Sequence, residues 1–342
     1  MLENNIEVQK YTAADFKSDQ EVRWCPGCGD HAVLNAVQKA MAEIGHPKEN
    51  YAVISGIGCS SRFPYYMNTY GFHGIHGRAG AIASGVKTAN PKLSVWQVTG
   101  DGDALAIGGN HFIHEIRRNI DLNILLFNNE IYGLTKGQYS PTTKYGQKTK
   151  TSPYGTVEQP FKVGQLAMGA GATFFARALD NNIKHATETF VKAEAHRGTS
   201  VIEILVNCVI YSDQTHAAIT DKEFKEDRQL FLEHGQKMIF GKEKNKGIVL
   251  NQGGLQVVTI GENGITEADI LVHNAKNQDP IVHMMLANMQ APEMPVALGV
   301  IRAVEAYTYE VALEQKIEET KAASKIHSMD DLLNSGETWV VK

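Results

Sequence analysis

Short apolar runs alternate with amphipathic stretches over the first two thirds of the chain. The runs 51–57 (YAVISGI), 93–99 (LSVWQVT), 122–128 (LNILLFN), 172–178 (ATFFARA) and 200–206 (SVIEILV) have strand length, and several are apolar at successive positions. Strands buried on both faces have this pattern, and they belong to parallel sheets covered by helices on either side. Between the runs, apolar residues recur at helical spacing near 30–44, 79–89, 105–119, 161–169 and 182–195. The alternation predicts an α/β protein with a mostly parallel sheet and helices on both faces. In such sheets ligands bind beyond the carboxyl ends of the strands. The residues just after each run are therefore where chemistry is to be sought.

From about 236 the texture changes. GQKMIFGKEKNKG is basic and glycine-punctuated, two further short strands are expected at 255–260 and 268–272, and a helix near 280–289. The charged stretch VEAYTYEVALEQKIEETKAA near the end reads as a helix with a solvated face. These features divide the 342 residues into a core domain, 1–235, and a C-terminal extension, 236–342, that wraps the core or a partner.

Composition narrows the class. Hydrophobic residues make up 43% and charged residues 21%, which excludes a disordered, collagen-like or coiled-coil chain. Lys and Arg number 33 against 38 Asp and Glu, a net charge of −5 that argues against a nucleic-acid binder. The N-terminal stretch has no apolar segment of the signal-peptide kind, and no run approaches the ~18 apolar residues of a membrane span. A cytoplasmic protein that meets no membrane is the expectation, with its thiols kept reduced. Its four cysteines are too few for a disulfide scaffold, yet they are the number one metal site needs.

The most informative segment runs from Gly100 to Asn129. One strand ends in Gly100-Asp101-Gly102 and the next in Asn128-Asn129, with twenty-five residues between Gly102 and Asn128. Asp101 offers a carboxylate and Asn129 an amide carbonyl, both hard oxygen donors of the kind Mg²⁺ takes beside phosphate oxygens. The backbone carbonyl of Ile131 adds a third. Gly100 and Gly102 let backbone N–H groups approach a phosphate at the start of a helix. The alternative is a pair of ordinary turns, but two polar clusters at successive strand ends are hard to place there by accident.

The cysteines lie at comparable places. Cys25 and Cys28 form a CxxC in a glycine-rich loop before a helix, Cys59 follows a strand in Gly-Ile-Gly-Cys, and Cys208 follows the strand at 200–206. Four thiolates suit a structural zinc or a [4Fe–4S] cluster, and unrelated cysteines remain open as a third reading. His111, His114 and Glu115 have the order His-x-x-His-Glu, which does not build a zinc-protease site.

GDGDALAIGGNHFIHEIRRNIDLNILLFNNEIYGLTKGQYSPTT, with WCPGCGDHAVLNAV, GIGCSSRFPYY and HGIHGRA, resembles the β subunit of 2-oxoacid:ferredoxin oxidoreductases. The resemblance covers roughly 20–235 and is weak in the tail. It implies a thiamine-diphosphate-binding fold in which Asp101, Asn129 and the Ile131 carbonyl hold Mg²⁺. Ile57, Gly58, Cys59, Ser60, His76, Gly102, Asp103, Gly133 and Leu134 would line the cofactor, Leu134 as an apolar wedge that bends it. His73, in the same loop as His76, is a further candidate for cofactor contact. By the same resemblance Cys25, Cys28, Cys59 and Cys208 hold a [4Fe–4S] cluster.

The implied reaction is oxidative decarboxylation of a 2-oxoacid with coenzyme A, the electrons passing through the cluster to ferredoxin. A dicarboxylic oxoacid needs two cationic partners, and Arg62 and Lys136 follow strand ends on either side of the crevice. That favours 2-oxoglutarate, with pyruvate and other 2-oxoacids as alternatives. The carboxylate that activates the cofactor's aminopyrimidine comes, in thiamine enzymes generally, from a pyrimidine-binding domain, and no second such segment is visible in this sequence. The resemblance therefore implies an α subunit that carries it, in an αβ heterodimer or (αβ)2. A zinc-stabilised, non-catalytic scaffold is the alternative of another class.

Overall fold

Alternate side chains of a strand point to opposite faces, so a strand apolar throughout builds two cores at once. The computed structural model describes residues 10–341. Its strands are β1 (Tyr51–Ser55), β2 (Tyr70–His73), β3 (Ser94–Gly100), β4 (Asn123–Asn128), β5 (Phe174–Leu179), β6 (Ser200–Leu205) and β7 (Gln229–Leu232). Next come β8 (Ile239–Phe240), β9 (Lys246–Asn251), β10 (Gly254–Thr259) and β11 (Val296–Ala303). Eight of these form one sheet in the order β2-β1-β3-β4-β6-β5-β11-β7. The six strands from β2 to β5 are mutually parallel. β11 runs antiparallel to β5 and parallel to β7, so the sheet is mixed at that edge.

On β4, Ile124 and Leu126 enter one apolar core while Leu125 and Phe127 enter the other. The helices that close the second core are α1 (Asp30–Ile44) and, later in the chain, the helix Ile183–Ala195. The first core is closed by α2 (Ala79–Ala89), α3 (Gly109–Arg118) and α4 (Val163–Gly169), with the later helix Ile281–Asn288. α3 is anchored there by Phe112 and Ile116, both fully buried. Truncating Phe112 to alanine would leave a cavity costing about 3–5 kcal/mol. α1 stops where Gly45 turns left-handed, with φ of 75°, a conformation glycine adopts without steric cost.

Three expectations change. The helix expected over 105–119 starts earlier, at Asp101, carries a π turn over Asp103–Ile107, and is α-helical again from Gly109. Such turns mark places where a side chain must be aimed, and here the side chain is Asp103. The strand expected at 268–272 is a short 3-10 turn, Glu267–Asp269, followed by one bridge between Lys237 and Val272. β10 does form, but pairs with β9 and β8 in a separate three-stranded antiparallel sheet. Finally, β11 comes from the segment expected as a C-terminal extension, yet it pairs between β5 and β7 inside the main sheet. The extension is thus an arm only in part. Its last long helix, Tyr309–Ala323, is largely exposed, held at its start by Glu310, whose carboxylate accepts from the Asp121 N–H at 3.3 Å.

Candidate active site

Parallel strands end on one side, so β1, β3 and β4 deliver their following residues to one place. Between them lies a cavity of about 440 Å³. Its wall includes Ile57, Gly58, Cys59 and Ser60 after β1, Asp101, Gly102 and Asp103 after β3, and Asn129, Ile131, Gly133 and Leu134 after β4, together with His76. All twelve residues expected at the thiamine-diphosphate and magnesium positions therefore meet in one cavity.

Asp103 uses the π turn to reach back across the sheet top. Its Oδ1 accepts from the Ile57 N–H at 3.0 Å, the Gly77 N–H at 2.7 Å and His76 Nδ1 at 2.8 Å, while Oδ2 accepts from Thr99 Oγ1 at 2.7 Å. The carboxylate is thus committed to its own chain, where it ties two loops together and orients His76. A Cβ on Gly56 would lie 1.9 Å from Asp103 Oδ2, so that approach requires glycine. Gly102 has a different neighbour: a Cβ there would stand 2.1 Å from the ring of Tyr132, whose hydroxyl donates to the Gly102 carbonyl at 3.0 Å.

Asp101 is buried, and its Oδ2 accepts from Ser140 Oγ and Thr142 Oγ1, each at 2.5 Å. Burial pushes its pKa up to about 6 against the pull of those two hydroxyls. A cation beside the carboxylate would reverse the direction, because opposite charge favours the ionised form. Asn129 Oδ1 accepts from the Ile131 N–H at 3.2 Å, which turns the tip of the β4 loop towards the cavity. Leu134 keeps about half of its surface exposed in that wall (52%), an apolar side chain offered to whatever fills the space.

The four cysteines gather beside the same cavity. Cys59 lines it, and Gly133, also in the wall, would carry a Cβ 3.7 Å from Cys59 Sγ and 3.5 Å from Cys208 Sγ. Burial, then the Asp30 carboxylate and the neighbouring thiols, raises Cys28 far above the ordinary thiol range and pushes Cys59 up to about 12. Cys208 and Cys59 act on Cys28, and Cys208 and Cys25 act on Cys59, so Cys59 lies within electrostatic reach of each of the other three thiols. Among the described residues no three His, Cys, Asp or Glu side chains stand in a closed metal-ligating arrangement. The donor set nonetheless suits a metal group: burial disfavours a free thiolate at Cys28 and Cys59, and a coordinating metal deprotonates a thiol outright. Trp24 locks the CxxC loop onto the β1 loop through its indole N–H, which donates to the Cys59 carbonyl at 2.6 Å.

Other expected residues fall outside the wall. Arg62 is half-buried, its Nε donating to the Tyr66 hydroxyl at 3.0 Å and its guanidinium lying over the Tyr65 ring. Lys136 is exposed at the rim, on the turn that begins at Gly133, with a left-handed φ of 77°. His73 pairs with the Tyr65 hydroxyl, while Glu115, on the helix with His111 and His114, faces Gln97. Conversely, Tyr132, Ser140 and Thr142 were not singled out in the sequence, and only the dense hydroxyl run Ser140-Pro141-Thr142-Thr143 hints at the last two. Glu203 and Arg177, which form a buried hydrogen-bonded series with Asn128 behind the β4 tip, were missed as well.

A sheet whose parallel strands end at a cavity of about 440 Å³, flanked by oxygen donors and a Gly-Asp-Gly segment, is the arrangement of a thiamine-diphosphate-binding domain. Residues 56–204 match the family model for the thiamine pyrophosphate enzyme, C-terminal TPP binding domain. The chain is 46% identical over 336 residues to the 2-oxoglutarate oxidoreductase subunit KorB of Mycobacterium tuberculosis, spanning 97% of this chain and 89% of that protein. It is 44% identical over 220 residues to the 2-oxoacid:ferredoxin oxidoreductase 1, subunit beta, of Aeropyrum pernix, spanning 64% of this chain and 68% of that one. Among solved structures it is similar to the 2-oxoglutarate:ferredoxin oxidoreductase from Magnetococcus marinus with 2-oxoglutarate, coenzyme A and succinyl-CoA bound. That match has a TM-score of 0.78 and 31% identity over 97% of this chain and 98% of the other. The chain belongs to the β subunits of the 2-oxoacid:ferredoxin oxidoreductases, on the 2-oxoglutarate side of that family. It is accordingly one subunit of a multisubunit enzyme. Among the described residues no helix is long and apolar enough to cross a membrane.

Proposed function

We propose that this chain is the β subunit of a cytoplasmic enzyme that converts 2-oxoglutarate and coenzyme A to succinyl-CoA and carbon dioxide. The electrons leave through a [4Fe–4S] cluster to ferredoxin. The observation that carries this reading is the position of Cys59, which lines the cofactor cavity and also belongs to the group of four thiols. An electron-generating centre and an electron acceptor would then share one wall. The names of the relatives support the substrate assignment, and four free thiols suit a reducing cytoplasm.

In this reading Asp101, Asn129 and the Ile131 carbonyl hold Mg²⁺, and Cys25, Cys28, Cys59 and Cys208 hold the cluster. Bound thiamine diphosphate supplies the electron sink for the carbon that loses carbon dioxide. The chain's own residues position and desolvate. Leu134 and Gly133 close the cavity beside the thiols, Asp103 fixes the loops of Ile57 and Gly77, and His76 is held with Nδ1 on Asp103. With Nδ1 so engaged, Nε2 is the ring nitrogen left to face a ligand. An α subunit brings the pyrimidine-binding domain and its activating carboxylate, in an αβ or (αβ)2 assembly.

The test is viologen or ferredoxin reduction by the co-purified complex. Turnover should require coenzyme A, run faster with 2-oxoglutarate than with pyruvate, and be absent from the isolated chain. Turnover by the isolated chain, or a preference for pyruvate, would contradict the assignment. The rim cation gives a finer check. Lys136→Glu places a negative charge where the distal carboxylate of 2-oxoglutarate would approach, so KM for this substrate should rise about tenfold or more, the scale of a charged hydrogen bond. KM for a monocarboxylic 2-oxoacid should change little. Equal effects on both would remove Lys136 from the substrate site.

A further inference from the structure

Behind the cavity, a series of buried polar side chains connects its floor to the middle of the sheet. Arg177 on β5 and Glu203 on β6 stand in register on adjacent parallel strands, and Arg177 Nε donates to Glu203 Oε2 at 2.8 Å. The carbonyls of Ala287 and Ala297 take further guanidinium N–H groups at 3.0 and 3.4 Å. Glu203 Oε1 accepts from Asn128 Nδ2 at 2.8 Å. That bond settles the orientation of the Asn128 amide: its nitrogen faces the carboxylate, so its oxygen faces the strand end. There Asn128 Oδ1 accepts from the Glu130 N–H at 3.3 Å and meets Thr142 Oγ1 at 2.9 Å.

Thr142 links this series to Asp101. Its hydroxyl lies 2.5 Å from Asp101 Oδ2, as does that of Ser140. One residue on, Thr143 Oγ1 donates to the Glu130 carbonyl at 2.6 Å. Glu130 itself, between Asn129 and Ile131, has a φ of 56°. A non-glycine residue holds that conformation only when its surroundings impose it. Here Asn128 grips its N–H and Thr143 its carbonyl. Asn129 and Ile131, on either side of the reversal, then both enter the cavity wall.

A buried ion pair adds little stability over well-packed apolar side chains of similar volume. The presence of one in two fully buried, otherwise uncharged strands therefore calls for another purpose. We propose that the Arg177–Glu203 pair and the Ser140–Thr143 loop form one frame that presents Asp101, Asn129 and the Ile131 carbonyl to the divalent cation, with Asn128 and Thr142 as the connecting positioning residues. The proposal rests on the reading of this cavity as a magnesium and thiamine diphosphate site.

The experiment strips the co-purified complex with EDTA and follows thiamine diphosphate binding by calorimetry across a Mg²⁺ titration. Thr142→Val removes the hydroxyl and keeps the shape; Glu203→Gln removes the charge and keeps the shape. Each should raise the Mg²⁺ concentration for half-maximal binding by about tenfold or more, as losing an outer-sphere partner does. Thr142→Ser should restore the wild-type value, and metal-free Thr142→Val should melt where the metal-free wild type melts. An unchanged Mg²⁺ requirement in Thr142→Val overturns the frame, and that arm decides if Glu203→Gln fails to fold. Failure of the wild-type complex to need Mg²⁺ at all would instead overturn the reading of the cavity, and the frame with it.

Discussion

Asp101→Asn is expected to abolish magnesium-dependent thiamine diphosphate binding while leaving the sheet intact. The substitution keeps the volume and removes the charge. Losing an outer-sphere partner of a metal ligand commonly costs 10–100-fold, and losing the ligand's own charge should cost more, so viologen reduction by the complex should fall more than about a hundredfold. Calorimetry with Mg²⁺ and thiamine diphosphate gives the direct readout.

The stability effect runs the other way. Burial raises the folded-state pKa of Asp101 from 3.8 to about 6, so the metal-free fold disfavours its ionised form. Stability associated with the protonated acid is fully present below pH 3.8 and is lost as pH rises through about 6. Asparagine cannot ionise, so the metal-free variant should melt at or above the wild type at neutral pH, and the difference should fade toward pH 4. A variant that melted well below wild type at neutral pH while binding the cofactor normally would give Asp101 a structural role only.

Replacing any of the four cysteines by serine is expected to remove iron and sulfide from the purified complex and bring ferredoxin reduction to background. A [4Fe–4S] cluster takes four thiolates, and the sequence holds no fifth cysteine to replace a lost one. The four variants should differ in a second measurement. Cys25 does not line the cavity, so Cys25→Ser should bind Mg²⁺ and thiamine diphosphate as the wild type does. Cys59 lines both places, so Cys59→Ser should weaken cofactor binding as well as lose the metal. Metal analysis tests the premise: a colourless wild-type complex with one zinc, and electron transfer unchanged in Cys25→Ser, would replace the cluster with a structural metal.

Much of this centre was legible in the sequence because the sheet is parallel. Residues that immediately follow β1, β3 and β4 must arrive at the same edge, so Cys59, Asp101 and Asn129 could be grouped from strand ends alone. The loop contributed by Ser140–Thr143 lies well past the end of β4, with no periodicity to say where it folds back. Arg177 and Glu203 carry a clearer signal in hindsight. Each is the one charged residue in a fully buried strand, FFARAL and SVIEIL, and buried charges of opposite sign need a partner. Arg62 and Lys136 show the opposite limit. Their positions along the chain resemble those of the cavity residues, yet neither lines the cavity: Arg62 is tied to the Tyr66 hydroxyl and Lys136 stands exposed beyond Thr135. β11 illustrates a third limit, since nothing local distinguishes a strand that pairs with β5 from one that stays in the small sheet of β8–β10.

What the amino-acid order decided alone was periodic or adjacent: the alternation of strand and helix, the Gly-Asp-Gly turn and its asparagines, and four cysteines each placed in a loop or after a strand. Those properties depend on backbone geometry within a few residues, which the chain carries with it. The tertiary structure decided which distant polar groups face one another. It turned Asp103 onto its own backbone, brought two hydroxyls onto Asp101, and placed a buried arginine and glutamate behind Asn128. Those pairings depend on sheet order and strand register, set by the packing of the whole core, because a hydrogen bond requires donor and acceptor within roughly 3.2 Å of each other.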